Sequence, residues 1–342
     1  MTRTLLVTGA AGFIGSNFVR LLLGRGEDVK LVAFDKLTYA GNLANLSDLL
    51  EKHPDKLTFV KGDICSPEDV KAALADCTDV VHFAAESHVD RSIISSGPFV
   101  QTNVIGTQVL LDAARAKGVD RFLQVGTDEV YGTLPEDKPE VMFTEDTPIQ
   151  PNSPYSASKA GADLLVRSYF ETHGMPVLTT RCSNNYGPYH FPEKLIPLFV
   201  TNLMEGKQVP LYGDGLNVRD WLYVEDHADA IWTVLTKGTP GEVYNVGGNN
   251  EMTNRAITET IIEAMGKDWD EVVRYVEDRA GHDRRYAIDA SKMKRELGWE
   301  PKHRFADAIK TTIQWYRDNE DWWRAIKSGE YMDYYAKQYD GK

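Results

Sequence analysis

Through the first half of the chain, short apolar runs rich in β-branched and aromatic residues alternate with longer segments whose apolar positions recur at helical spacing. Runs of that length bounded by glycine or polar turns predict buried strands, and the longer periodic segments predict helices. Strands are expected at residues 4–8, 30–34, 57–61, 79–83, 122–125 and 177–181, the fifth ended by Gly126. Helices are expected at 18–23, at 99–116 with Val104, Val109, Leu110 and Ala113 on one side, and at 155–172. Strands alternating with helices predict the α/β class, here a Rossmann-type doubly wound parallel sheet.

Beyond residue 181 the pattern changes. A polar, turn-rich stretch, Ser183-Asn184-Asn185-Tyr186-Gly187-Pro188-Tyr189, precedes a Pro-containing helical pattern over 190–206 and a turn-rich segment from Pro210 to Gly215. A smaller, mixed α/β C-terminal substrate domain is expected to begin here. Segments 221–224 and 242–246 read as strands returning to the first domain, so the division is not a single cut. Residues 1–180, with returning segments near 218–246, are expected to form the larger domain, and 181–217 with 247–342 the smaller one. The tail, 313–335, carries Trp315, Trp322, Trp323 and several tyrosines, a composition suited to packing.

Composition narrows the setting. At 342 residues with 42% hydrophobic content, the chain can build one large or two ordinary soluble domains. No run approaches the roughly 20 apolar residues of a membrane span, and Gly9 comes too soon for a signal-peptide core. Cys65, Cys77 and Cys182 are scattered without CxxC spacing, and no histidine pair has ligand spacing, so no metal is expected and a cytoplasmic setting is. A net charge of −13 argues against nucleic acid as a partner and requires local cations for any anionic ligand.

Candidate chemistry gathers at the predicted strand ends. Gly9, Gly12 and Gly15, enclosing Phe13 and Ile14, sit between a strand and a helix, where backbone N–H groups and a helix N-terminus can accept a pyrophosphate. The spacing is GxxGxxG, which alone is equally a tight turn. Asp35 ends the second strand about 20 residues after the last glycine, where an acid can bind the ribose hydroxyls of NAD and repel the extra phosphate of NADP; Lys36 beside it weakens that preference. Asp63 and Ile64 are placed to meet the adenine, and the fourth strand runs through Phe83 to Ala84, Ala85, Glu86 and Ser87, small residues that admit a flat cofactor.

The fifth strand leads to Thr127, Asp128 and Glu129. Two carboxylates held close cannot both ionise freely, so their pKa values separate into an acid and a base. The plainer alternative has Asp128 capping a turn and Glu129 solvated. Tyr155 and Lys159 share one helical face, where an ammonium near a phenol lowers its pKa and makes it a usable base; a tyrosine packed on a lysine stem is the plain alternative. Lys194, Arg219, Arg279, His282, Arg284 and Arg285, set among aromatics, could hold a diphosphate and stack a base, with a solvated basic face equally open for Arg284 and Arg285.

Over nearly its whole length the sequence resembles the extended short-chain dehydrogenase/reductase superfamily and, within it, the dTDP-glucose 4,6-dehydratases. The resemblance is carried by GAAGFIGSNF at Gly9, DKLTYAGN at Asp35, GDI at Gly62, HFAAESHVDRSI at His82, GTDEVYG at Gly126, YSASKA at Tyr155, SNNYGPYHFPEKLIP at Ser183, RDWLYVEDH at Arg219 and DRAGHDRRYAID at Asp278. Thr127-Asp128-Glu129 discriminates, since related epimerases lack the acidic pair. Gly126 and Ala280 stand where relatives often carry Ser and Pro.

The resemblance implies a redox-neutral dehydration of dTDP-glucose. Tyr155, with Lys159 and Thr127, takes the C4 hydroxyl proton as NAD takes the hydride; Glu129 then removes the C5 proton while Asp128 protonates the departing C6 hydroxyl. Hydride returns to C6 and a proton to C5, giving dTDP-4-keto-6-deoxyglucose. It also implies cofactor contacts from Phe13, Ile14, Asp35, Lys36, Leu37, Thr38, Asp63, Ile64, Ala84, Ala85, Thr102 and Asn185. Substrate contacts would come from Ser87, Asn184, Lys194, Leu195, Pro210, Tyr212, Arg219, Asn254, Arg279 and His282. A homodimer is implied through a four-helix contact near 99–116 and 155–172. A nucleotide-sugar 4-epimerase or a dehydratase for another nucleotide sugar is the alternative within this fold, and an NAD-sensing binding protein the alternative outside catalysis.

Overall fold

The computed structural model describes residues 3–278 and 281–328. Its strands, in chain order, are β1 (Arg3–Thr8), β2 (Val29–Asp35), β3 (Leu57–Lys61), β4 (Asp79–His82), β5 (Arg121–Thr127), β6 (Val177–Cys182), β7 (Asn184–Tyr186), β8 (Val209–Tyr212), β9 (Val218–Tyr223), β10 (Val243–Val246), β11 (Glu251–Thr253) and β12 (Val273–Val276). Seven form one sheet in the order β10-β6-β5-β4-β1-β2-β3, every pair parallel. The order reverses between β1 and β4, which opens a crevice at the carboxyl ends of those strands.

Both faces of the sheet are covered, which is why its strands read as continuous apolar runs rather than alternating ones. On one face Phe18, Leu22, Ile231 and Val234, from helices α1 (Phe13–Arg25) and Val224–Lys237, pack on Leu5, Leu31 and Leu123. On the other, Leu110 and Val166, from helices α2 (Thr107–Lys117) and α3 (Pro154–His173), pack on Leu6, Val80 and Phe122. Helix α3 begins with Pro154 in its first turn and a reciprocal Ser153–Ser156 capping box, and ends at Gly174 with φ 63°.

Four expectations change. The strand over 122–125 does not stop at Gly126, because Gly126 and Thr127 still pair with Arg181 and Cys182 of β6. The helix expected over 99–116 is π-helical from Val100 to Gly106 before α2 begins. The widened turn holds Asn103, whose amide bonds both the N–H and the C=O of Glu86, at 2.9 and 3.0 Å, and Ser158 at 2.8 Å. Of the two strands read as returning to the first domain, only β10 joins the large sheet. The other, β9, pairs with β7 and β11 in a small separate sheet. Its aromatic residues explain this: Trp221 and Tyr223 pack against Tyr186, Phe199 and Ile257 in a second core. That core also holds Ile309, Tyr316 and Trp323 of the tail, Trp323 being fully buried with its indole N–H donating to the Tyr316 carbonyl at 2.9 Å.

The helical pattern over 190–206 is a helix only from Leu195 to Met204. Pro197 falls within its first turn, where a missing N–H costs no intrahelical bond. Residues before it wind along the crevice, starting from Tyr189 with φ 65°.

Candidate active site

The crevice is floored by the glycine-rich turn. Gly9 has φ 67°, and a Cβ there would lie 2.6 Å from the Ala84 nitrogen; one on Gly15 would lie 2.3 Å from the Gly9 carbonyl oxygen. Side chains are therefore excluded where the turn, β4 and α1 converge. Helix α1 opens at Gly12 with no side-chain cap, which leaves its first N–H groups for a ligand. Asp35 is buried at the end of β2, with its carboxylate accepting from the N–H of Ala11 at 3.0 Å and of Leu37 at 2.8 Å. Burial pushes its pKa up and those two bonds pull it back. A Cβ at Gly41 would come within 2.6 Å of the same carboxylate, so the loop is kept bare beside it.

These features fit NAD: a pyrophosphate cradle of backbone N–H groups, an acid with spare acceptor capacity for ribose hydroxyls, and small residues at Ala84 and Ala85. Asp35→Asn is expected to weaken NAD binding roughly tenfold to hundredfold, from the loss of about 1.5–3 kcal/mol of bonding to a charged acceptor. Calorimetric titration checks it. Lys36 is engaged by Asp63 at 2.7 Å, so its charge is partly occupied within the chain.

Further along the crevice, Thr127 caps a 3-10 turn, Asp128–Tyr131, by accepting from the Glu129 N–H at 3.3 Å. Thr127, not Asp128, holds the turn. Asp128 is 1% exposed, and its Oδ2 has no hydrogen-bond partner among the described residues. Burial first, then the Glu129 and Asp220 carboxylates, push its pKa well above the ordinary carboxylate range. Of the two carboxyls, Asp128 is the one that its surroundings push towards the neutral form.

Tyr155 and Lys159 project from the first turns of α3 into the same space, and both are buried. Lys159 donates to the Val125 carbonyl at 2.8 Å. Burial, then the Glu129 carboxylate, push the Tyr155 phenol well above 10, opposed by its bond with the Thr127 hydroxyl. The spacing argument, that a lysine one turn away lowers the phenol's pKa, is outweighed here by burial.

Almost all the residues singled out from sequence line this one crevice, from Gly9 and Phe13 at the cofactor end to Lys194, Tyr212, Arg219, Asn254 and His282 at the other. Among the described ones Leu37 does not; its side chain packs on the sheet's core while its N–H serves Asp35. Arg279 lies outside the described residues. Arg284 and Arg285 are not in the crevice: Arg284 is held by Asp214 and Glu136, and Arg285 by the carbonyls of Pro139 and Val141 and by Glu251. They clamp the segment after the 3-10 turn onto the smaller region.

Sequence reasoning missed several lining residues. Tyr286 is buried beneath the Arg219 guanidinium, 4.2 Å from its ring centre, and donates to Asp283. Glu193 is buried and paired with Arg91 at 3.0 Å beside His88. Their positions in runs such as Arg284-Arg285-Tyr286 gave no period or spacing to single them out. Among the described residues no group of three or more His, Cys, Asp or Glu side chains could hold a metal ion.

Strand order, glycine turn and buried Tyr–Lys pair define an NAD-binding α/β enzyme of the short-chain dehydrogenase/reductase type. A family model described as GDP-mannose 4,6 dehydratase matches residues 6–312. A dTDP-glucose 4,6-dehydratase of Streptomyces antibioticus is 56% identical over 328 residues, covering 94% of this chain and 95% of its own. One from Shigella flexneri is 48% identical and covers 99% of both. Among solved structures, the dTDP-glucose 4,6-dehydratase DesIV of Streptomyces venezuelae, with NAD and TDP bound, superposes with a TM-score of 0.91 at 50% identity, covering 95% of this chain and all of that one. The UDP-glucose 4-epimerase of Thermus thermophilus, with NAD, gives 0.84 at 31% identity, covering 92% of this chain and 99% of its own. The chain belongs to the dTDP-glucose 4,6-dehydratase family, NAD-dependent hydro-lyases of nucleotide sugars.

Proposed function

We propose that the chain converts dTDP-glucose to dTDP-4-keto-6-deoxyglucose, with Thr127, Asp128, Glu129, Tyr155 and Lys159 as its catalytic residues. The observation that carries the reading is the acidic pair in the crevice, Asp128 buried with its carboxyl pushed towards the neutral form and Glu129 beside it in the space reached by Tyr155. An epimerase has no use for such a pair, because it removes no water.

When bound, NAD would supply the hydride acceptor at C4 and the donor at C6. Tyr155 receives the C4 hydroxyl proton, with Thr127 bonded to the phenol and Lys159 stabilising the phenolate. The resulting 4-keto group acidifies the C5 proton, which Glu129 removes. Asp128, kept neutral by its surroundings, gives its proton to the C6 hydroxyl, and water departs. Lys194, Arg219 and His282 supply cationic donors for the diphosphate, with Arg279 as the further candidate, and Asn184, Ser87 and Tyr212 hold the remaining polar groups. The sugar-nucleotide half comprises 181–217 and 247–342 together with β9, which pairs outside the large sheet. Turnover of dTDP-glucose in deuterium oxide tests the assignment: one deuterium at C5 of a 6-deoxy product is expected, and an unlabelled C5 with the 6-hydroxyl intact would refute it.

The working unit is a homodimer in the cytoplasm. Ile94, Val100, Ile105 and Leu164 are apolar yet 72, 50, 41 and 53% exposed, on Val89–Ile94, the π-helical turn and α3. A patch of this kind supports a contact between helices of two copies. Leu164→Glu is expected to raise the dimer dissociation constant at least about hundredfold, since an unpaired charge would be buried at the contact. Analytical ultracentrifugation reads it directly. The described residues contain no helix long and apolar enough to cross a membrane.

A further inference from the structure

Beneath the catalytic turn lies an ion pair that the reaction as described does not use. Asp163 and Arg181 are 3 and 6% exposed, and the Arg181 Nε donates to Asp163 Oδ2 at 2.9 Å. Arg181 also donates to the Tyr131 hydroxyl at 3.0 Å and lies 4.9 Å from the centre of that ring. Tyr131 closes the turn that carries Asp128 and Glu129, and its own hydroxyl donates to Asn245 of β10 at 2.8 Å. One guanidinium therefore joins the acidic turn, on β5's end, to helix α3.

The carboxylate is placed with equal care. Its Oδ1 is buried and has no hydrogen-bond partner among the described residues. A Cβ on Gly126 would lie 3.1 and 3.2 Å from the two oxygens of Asp163 and 2.7 Å from the Thr180 carbonyl oxygen, so the carboxylate packs close against bare backbone of β5. Lys159, one helical turn earlier on α3, donates to the carbonyl of Val125, the neighbour of Gly126. Lys159 thus bonds Val125 while Asp163 packs beside the next residue of β5, Gly126. A buried carboxylate with one oxygen left bare is a poor stabiliser, because its desolvation is only partly offset.

We propose that the Asp163–Arg181 pair is a positioning device for the oxidation step: it sets helix α3 in register with the Asp128–Glu129 turn and supplies the fixed negative charge that keeps Lys159 protonated. Burial lowers the Lys159 pKa from 10.5, and the Asp163 carboxylate acts against it. The other titratable groups around Lys159 do not replace that charge. Tyr155 on the same helix and Cys182 on β6 are both held neutral by burial, and His82 on β4 is likewise neutral. Asp128 is pushed towards its neutral form and Glu129 acts on Tyr155, whereas at Asp163 burial pushes the carboxyl up and the Arg181 guanidinium and Lys159 act against it to hold the charge.

The inference rests on Tyr155 and Lys159 being the oxidation pair, and that reading fails separately, by undiminished turnover of Lys159→Met. The test of the positioning role is the pH profile of kcat for the full chain with NAD and dTDP-glucose. In Asp163→Asn the alkaline limb is expected to move down by about one pH unit or more as Lys159 loses its counter-charge, with KM changed by less than about threefold. Asp163→Glu is expected to restore the wild-type limb. A loss of kcat uniform across pH would mean structural support only, and an unchanged profile would mean no role; both overturn the proposal. Asp163→Ser, smaller and equally neutral, repeats the readout if asparagine is not accommodated. Failure of both neutral variants to fold would assign the pair to stability and overturn it too.

Discussion

Asp128→Asn is expected to slow product formation roughly 10²–10⁴-fold, the usual worth of a positioned acid, while C4 oxidation still proceeds. The absorbance of reduced cofactor should then build up on mixing with substrate instead of passing unseen. The reason lies in the crevice: Asp128 touches the chain's own polar groups little, with a bare Oδ2, so its replacement disturbs proton supply more than architecture. Glu129→Gln is expected to behave alike and also to abolish proton exchange at C5. The pH dependence follows from the direction of the shift. A carboxyl whose pKa is raised stays protonated at neutral pH, so the elimination step, read by itself in a single turnover as decay of the reduced cofactor and distinct from the kcat profile, persists there and declines as pH climbs through that raised value; Asp128→Asn should lose this limb. Variants that lost hydride transfer but kept elimination would reverse the roles assigned to the two sites.

Tyr155→Phe is the second large effect and has the opposite signature. Removing the phenol oxygen leaves the ring's packing near Phe99 intact and takes away the phenol's bond with the Thr127 hydroxyl. Turnover is expected to fall by roughly 10²–10⁴ with no reduced cofactor accumulating and no C5 exchange, because the 4-keto group that acidifies C5 never forms. Stopped-flow absorbance on the two variants separates the stages: build-up in Asp128→Asn, none in Tyr155→Phe. Accumulation in Tyr155→Phe would move the C4 base elsewhere.

The parallel sheet was legible because strands covered on both faces leave unbroken apolar runs, and glycines at Gly9, Gly12 and Gly15 mark where backbone must approach backbone. Asp35, Tyr155 and Lys159 could be found for the same reason: their spacing from a strand end or along a helix is itself the physical requirement. What stayed hidden depends on contacts between distant segments. Nothing local to 100–106 announces a π-helical turn, whose cause is the bond from Asn103 to Glu86. Strand β9 was legible as a strand but not as a member of the small sheet, since its partners β7 and β11 are short and its aromatic residues fit either core. Arg284 and Arg285 read like phosphate ligands until Asp214, Glu136, Glu251 and two carbonyls are seen to occupy them. Tyr286, Glu193 and His88 reach the crevice only through the fold.

The same distinction applies to charge. Adjacent acids suggested an unequal pair, yet which one is neutral depends on Asp220 and on burial supplied by β6 and β9, neither of which the pair's own sequence contains. The Tyr–Lys spacing suggested a lowered phenol pKa, whereas the surrounding protein raises it.

The central claim is that one hydride leaves C4 and returns to C6 of the same sugar around a proton transfer by Asp128 and Glu129. Turnover of dTDP-glucose carrying deuterium at C4, followed by nuclear magnetic resonance of the product, tests it most directly. The prediction is a 4-keto-6-deoxy sugar with that deuterium in its C6 methyl group; deuterium retained at C4, in a sugar whose 6-hydroxyl is intact, would contradict it.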